Sequence, residues 1–159
     1  MFNWFVKALK DRRGNAMVEF ALVLPVILLT LGGLVDIGRI FYQADALEKA
    51  LRDGATFAAR SQLPLSEEAI EKTANLIKTG TLSGNGDPLL PGWQNGSGEL
   101  DIETVSVPVM DPVGQQEMVP VIRLRASVPA QPLLPGIWAL FGQENFTIEA
   151  SHEQAYLGN

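Results

Sequence analysis

The chain has 159 residues, no cysteine and a formal net charge of −6 from 12 basic and 18 acidic side chains, room for one domain with an appended segment. The acidic balance argues against a nucleic-acid binder, and the lack of cysteine removes disulfide scaffolds, thiol nucleophiles, cysteine zinc sites and lipid attachment to cysteine. The charge is uneven: residues 1–14 hold Lys7, Lys10, Arg12 and Arg13 against Asp11, a net of +3, which leaves −9 on the remainder.

The chain begins with the basic, partly aromatic stretch MFNWFVKALKDRRG and continues as NAMVEFALVLPVILLTLGGLV. Residues 20–35 carry no charge, and with the neutral residues before Glu19 the stretch grows to about 21 positions, close to the ~20 that cross a hydrocarbon core. A cleaved secretory signal shares this outline. Against it stand the length of the apolar run and the absence of a small-x-small break after it, since LGGLVDIGRIFYQ continues with helical spacing. Pro25 and the pair Gly32 and Gly33 suit a membrane helix better than a soluble one, the glycines as a packing face or as a flexible point near the exit. Glu19 is the conspicuous residue: a charge costs ~2.5–3.5 kcal/mol at the centre of an inserted helix and less near its end.

Past Asp36, the apolar positions Ile37, Ile40, Phe41, Ala44, Leu47, Leu51, Ala55 and Ala58 recur at intervals of three and four. The spacing predicts one helix over residues 16–60, ~65–70 Å long at 1.5 Å per residue and about twice the bilayer core. Its amphipathic half, residues 37–60, needs a packing partner. Asp36 and Arg39 have the (i, i+3) spacing of an ion pair at the membrane exit.

The segment SEEAIEKTANLIKTG predicts a short second helix capped by Ser66 and ended by Gly80, with Ala69, Ile70, Ala74, Leu76 and Ile77 as its apolar face. Residues 80–98 read as a long Gly-, Asn- and Pro-rich loop that Trp93 would anchor. Three strands are expected over residues 100–109, 118–129 and 146–157, with DPVGQQ as the first hairpin connection. The apolar insertion QPLLPGIWALFGQ, bounded by Pro135 and Gly142, is expected as a short helix or loop covering one face of the sheet, with a partner-binding or membrane-dipping element as the alternative. The fold class is therefore α+β: a long transmembrane-to-amphipathic helix, a short second helix and a small antiparallel sheet of about three strands packed on the helices.

No catalytic constellation assembles. His152 is the sole histidine and is expected at an ordinary surface or edge position, so neither a metal site nor a His-based acid–base pair forms around it. No metal and no cofactor are expected.

The order basic leader, Gly14, four mostly apolar residues, Glu19, Phe20, then a membrane-length helix resembles the processing region of type IV pilins and pseudopilins. The string GNAMVEFALVLPVILL, followed by Asp36, Gly38 and Arg39 and an amphipathic extension, looks like the TadE-like proteins of the tight-adherence (Tad) pilus system. The resemblance covers residues 12–60. It implies a non-enzymatic pilus subunit, with a cytoplasmic leader over residues 1–14, a transmembrane half over 15–36 and a periplasmic α+β head over 37–159. It further implies cleavage between Gly14 and Asn15 by a prepilin peptidase, and partners among the inner membrane, other pilin subunits and the assembly machinery. Glu19 becomes the fifth residue of the mature chain, neutralising the new amine on Asn15, and residues such as Phe20, Pro25, Gly32 and Gly33 serve helix packing. Phe20 stands where a tyrosine often follows the glutamate in major pilins. The large head also departs from the short major pilins and favours a minor pilin or pseudopilin.

Two other readings stay open. In one the chain is an uncleaved single-pass anchor for a periplasmic binding head, with Gly14 and Glu19 incidental; in the other it is an exported enzyme. The basic leader favours an inward N-terminus, a preference that Arg39, Lys49 and Arg52 beyond the helix weaken.

Overall fold

The helical spacing that follows the basic leader continues unbroken for 47 residues, as helix α1, Arg12–Ala58. The computed structural model describes residues 12–94, 96–110, 114–143 and 145–157, with side-chain environments from residue 16. The leader residues 1–11, the surroundings of residues 12–15, Gly14 and Asn15 among them, and residues 111–113 of the first hairpin connection therefore lie outside the described residues.

Two very different environments divide α1. From Met17 to Val35 its large apolar side chains are exposed, and the helix is long and apolar enough to cross a membrane. Pro25 sits inside it without ending it. The Thr30 hydroxyl donates to the Val26 carbonyl at 2.8 Å, so this polar group is satisfied within the helix. Beyond Asp36 the helix packs under a head, and Leu47, Ala50, Leu51, Ala55 and Ala58 are buried, as is Ala59 just past its end.

Helix α2, Glu67–Thr79, forms as its caps dictate: Ser66 Oγ accepts from the Ala69 N–H at 3.2 Å, and Gly80 ends the helix at φ 72°, a conformation glycine adopts without steric cost. Its buried face is rotated from the expected one. Ile70 is exposed, while Thr73 and Ile77 are buried against α1. The cause is the close crossing at Gly54, where an added Cβ would lie 2.5 Å from Ile77 Cγ1 and 3.5 Å from Thr73 Cγ2. Thr73 tolerates burial because its hydroxyl donates to the Ala69 carbonyl at 2.7 Å and leaves its methyl for packing.

The loop after α2 contains a single helical turn, α3, Pro91–Gln94. Trp93 anchors it, 8 % exposed, with the Lys78 ammonium 5.5 Å from its ring centroid. Three strands follow as an antiparallel meander in the order β1-β2-β3: β1 Glu99–Met110, β2 Gln116–Ala130 and β3 Phe146–Ala155. The inward face carries Ile122, Leu124, Ala126 and Val128 of β2, flanked by Leu100 and Ile102 of β1 and Ile148 of β3. Arg123 stands on the opposite face in register with Glu103 and Glu153, donating to both at 3.3 and 2.6 Å, so one guanidinium ties three strands. Those two carboxylates raise the pKa of Arg123 above its ordinary value. The expected sheet and helix pair are thus present, and the fold is α+β.

Between β2 and β3 a short helix, α4, Pro135–Ala139, occupies the apolar insertion. Its place corrects the expectation of a cover on the sheet. It lies against α1, where an added Cβ on Gly32 would meet Leu134 Cδ1 at 2.9 Å and Ile137 Cδ1 at 3.0 Å. It meets the sheet through the edge-on contact of Trp138 with Phe146, centroids 5.0 Å apart at 78°.

Candidate functional site at the base of the head

The head has a clear polarity along α1. At its far end Leu157 N–H donates to the Ala59 carbonyl at 3.1 Å. At its near end the chain leaving β2 is held by three polar residues of α1, spaced i, i+3 and i+7: Asp36, Arg39 and Gln43.

Asp36 is fully buried although it follows directly on the exposed apolar half of α1. Its Oδ1 accepts from the Leu133 N–H at 2.6 Å, and its Oδ2 accepts from the Leu134 N–H at 3.1 Å and the Trp138 Nε1–H at 2.9 Å. These backbone donors stand immediately before Pro135, the first residue of α4, whose cap position Leu134 has no side chain able to cap. Asp36 therefore does from another helix what a local Ser or Asp cap does at a helix start. A buried carboxylate with three donors is well satisfied; without them its burial would be prohibitive.

Arg39 and Gln43 hold the next residue outward. Arg39 Nε donates to the Gln131 carbonyl at 3.1 Å and Gln43 Nε2 donates to the same oxygen at 3.4 Å, while the Gln131 N–H donates back to Gln43 Oε1 at 3.4 Å. Asp36 and Arg39, read from the sequence as a candidate exit ion pair, thus both direct their hydrogen bonds to the β2–β3 connection. Gln43 was not anticipated. Its signal lies in the sequence all the same: Asp36 and Gln43 occupy the same three-and-four-spaced stripe as Ile40 and Leu47, where an apolar residue is the default. Ile37 and Phe41, expected in that stripe, are exposed.

Of the other sequence-derived residues, Glu19 and Phe20 are exposed on the first half of α1, and Pro25 lies inside it. Gly32 provides the close approach of α4, whereas nothing lies within 4 Å of a Cβ built on Gly33. Gly14 and Asn15 fall in the first turn of α1. No group of three or more His, Asp or Glu side chains suited to a metal occurs among the described residues. His152 is on the edge strand β3, as expected, but its Nε2 is buried there with no hydrogen-bond partner among the described residues, as is Trp93 Nε1.

A single long helix, apolar and exposed in its first half and packed beneath an α+β head in its second, defines a helix-anchored protein of pilin-like plan, the helix being long and apolar enough for one membrane pass. Residues 14–56, about a quarter of the chain, match the family model described as TadE-like protein. The match starts at Gly14 and covers nearly all of α1, Asp36, Arg39 and Gln43 included. No curated protein and no solved structure matches the chain.

Proposed function

We propose that the protein is a structural and assembly subunit of a Tad (type IVb) adhesive pilus, made as a precursor, cut after Gly14 by a prepilin peptidase and held in the inner membrane with its head in the periplasm. The observation that carries the reading is the coincidence of the family match with α1, starting at the proposed cleavage glycine and running through the exposed apolar half into the head. Glycine leaves no side chain to obstruct a protease at the membrane surface, and the basic leader holds the N-terminus inward. The leader is residues 1–14, the membrane half 15–36 and the head 37–159.

Cleavage would create an ammonium on Asn15 at the edge of a low-dielectric region. Glu19, one helical turn along, supplies the carboxylate that balances it, within the chain or across to a neighbour. Between neighbours the cost of burying both charges is offset only in one stagger, so the pair acts as a register device. The exposed side chains of α1 from Phe20 on, away from the Gly32 face that the insertion covers, form the surface on which other pilin helices pack.

N-terminal sequencing of the membrane-associated protein, with and without the peptidase, tests the reading. A start at Asn15 that depends on the peptidase is expected; an intact Met1, or a start near Ser61, defeats it. Glu19→Gln is expected to be cleaved yet incorporated poorly, and incorporation at the parent level would remove Glu19 from its role.

A further inference from the structure

The insertion between β2 and β3 carries an apolar surface that the head does not use. Residues 132–142 contain no charged side chain, and the Trp138 indole N–H, their one polar side-chain group, is bonded to Asp36. Leu140 and Phe141 are 73 % and 74 % exposed, and Leu133 and Leu134 are about half exposed. An exposed cluster of this kind on a small head calls for a covering phase.

Its position along α1 says which phase. Leu140 and Phe141 border a groove of about 410 Å³ lined on the α1 side by Val26, Leu29, Thr30, Gly33, Leu34 and Ile37. That wall begins level with Asp36 and runs back to Val26, so at 1.5 Å per residue the groove reaches up to ~15 Å from Asp36 toward the N-terminus. The apolar run of residues 16–35 spans ~30 Å, the full thickness of a hydrocarbon core. Seating that run in a bilayer therefore carries the insertion into the periplasmic leaflet. Lifting the head until Phe141 is clear of the core would leave only about half the needed length of apolar helix. It would also draw Glu19 and the arginines before it toward the bilayer centre.

Many of the N–H donors of the insertion are already satisfied within the protein. Non-helical chain survives at membrane depth only where its polar groups are satisfied by protein. Leu133 and Leu134 donate to the Asp36 carboxylate, Ile137 to Leu134, Phe141 to Trp138, Gly142 to Ala139 and Gln143 to Trp138, while Pro132 and Pro135 have no N–H to satisfy. The polar residues Gln131 and Gln143 bracket the apolar stretch where the chain enters and leaves.

We propose that residues 132–142 form a second, re-entrant membrane element that dips into the periplasmic leaflet against the Gly32 face of α1, with Leu140 and Phe141 in contact with lipid acyl chains. The inference rests on the reading that α1 spans the bilayer, and it adds that the head is seated on the membrane at a fixed height. Trp138 then sits near the interface, the level favoured by an aromatic ring with a bonded N–H.

The absence of native cysteine permits a direct test on the full-length chain. Single cysteines replace Leu140, Phe141, Leu28 of α1 and the outward-facing Ser151 of β3, each labelled with an environment-sensitive fluorophore and reconstituted in phosphatidylethanolamine–phosphatidylglycerol vesicles. Quenching is read from acyl-chain spin-labelled lipid and from aqueous iodide, with head integrity checked by resistance to trypsin. The proposal expects probes at 140 and 141 to follow Leu28→Cys, quenched by lipid and several-fold less by iodide than Ser151→Cys. If 140 and 141 follow Ser151→Cys while Leu28→Cys is quenched by lipid, the insertion lies in water and the proposal is overturned. If Leu28→Cys also escapes the lipid quencher, the spanning reading itself has failed and the inference with it. Protection from both quenchers that grows with protein-to-lipid ratio would mean that another copy of the chain covers the element, which also overturns it.

Discussion

Replacing Asp36 by Ala should free the base of the head without unfolding it. The substitution removes one fully buried carboxylate and leaves three donors, the Leu133 and Leu134 N–H groups and the Trp138 indole, without an acceptor. A hydrogen bond to a charged acceptor contributes ~1.5–3 kcal/mol net, so three together set a ceiling of ~4.5–9 kcal/mol. The connection can detach and rehydrate part of its donors, which halves the loss to ~2.3–4.5 kcal/mol of local stability. At 1.4 kcal/mol per decade that is an increase in opening of about 40- to 1,600-fold. Amide hydrogen exchange by mass spectrometry on the full chain in lipid nanodiscs reads it: peptides spanning residues 131–143 should exchange faster by that factor, and those of α2 should not change. Asp36→Asn keeps one carbonyl acceptor but adds two donors beside the existing ones, so it should fall between Ala and the parent. Unchanged exchange in residues 131–143, or an equal rise across the whole head, would refute the view that Asp36 holds this connection locally.

Gly54→Ala places a Cβ 2.5 Å from Ile77 Cγ1 and should part α1 from α2, costing ~1–3 kcal/mol. Nothing lies within 4 Å of a Cβ on Gly38, so Gly38→Ala should be neutral or stabilising through helix propensity; equal thermal midpoints for the two variants in detergent would contradict the packing. His152→Phe removes a buried ring nitrogen, Nε2, that has no partner among the described residues, and should leave the thermal midpoint unchanged or higher, since deleting an unsatisfied polar atom in favour of an apolar one of similar shape relieves a desolvation penalty. The Lys72 ammonium, 2.6 Å away, bonds to Glu68 and holds its carboxyl below the ordinary carboxylate value. The folded pKa being the lower one, this contribution is fully present above the ordinary value and is lost as pH falls through the depressed one. A midpoint deficit of Glu68→Gln should therefore be seen near neutrality and vanish in acid; a deficit that grows on acidification would reverse the sign.

Much of the architecture was legible because it is local. The length of α1 follows from an apolar run that passes into a three-and-four spacing without a break, and the ends of α2 from Ser66 and Gly80, whose cap geometry depends on residues within one turn. The sheet was legible in β2, where Ile122, Leu124, Ala126 and Val128 alternate cleanly. The rotation of α2 was not, because it is set by the absence of a side chain at Gly54, and a glycine in a helix has the same sequence signature whether it packs, bends or fills space. Nor was the role of Asp36 legible. Its partners are backbone donors almost a hundred residues away, and backbone groups carry no sequence signal, so the nearby Arg39 side chain looked like the natural counterpart.

The bonds from Asp36, Arg39 and Gln43 to the β2–β3 connection and the apolar insertion belong to one design problem, that of joining an α+β head to a helix whose first half is apolar. A head linked only through a helical rod would leave its orientation to side chains along one stripe, and Ala50, Ala55, Ala58 and Ala59 in that stripe have few contacts to give. The three residues Asp36, Arg39 and Gln43 instead fix the β2–β3 connection at two successive turns of α1, through backbone groups whose direction is set by the end of β2. Because Asp36 also secures Trp138, the same carboxylate orients the apolar surface that faces the exposed apolar half of α1. If the protein packs into a pilus as proposed, the stagger between neighbouring helices decides which charges meet, and a head held at one height and one rotation would restrict the staggers available to Glu19 at the other end of the apolar run. Loosening Asp36 should therefore impair incorporation even though it lies about seventeen residues, some 25 Å of helix, from Glu19. That coupling separates a structural joint from a local cap: Asp36→Ala in cells should leave cleavage at Gly14 intact while lowering pilus incorporation, and normal incorporation alongside fast exchange in residues 131–143 would show that the joint serves the head alone.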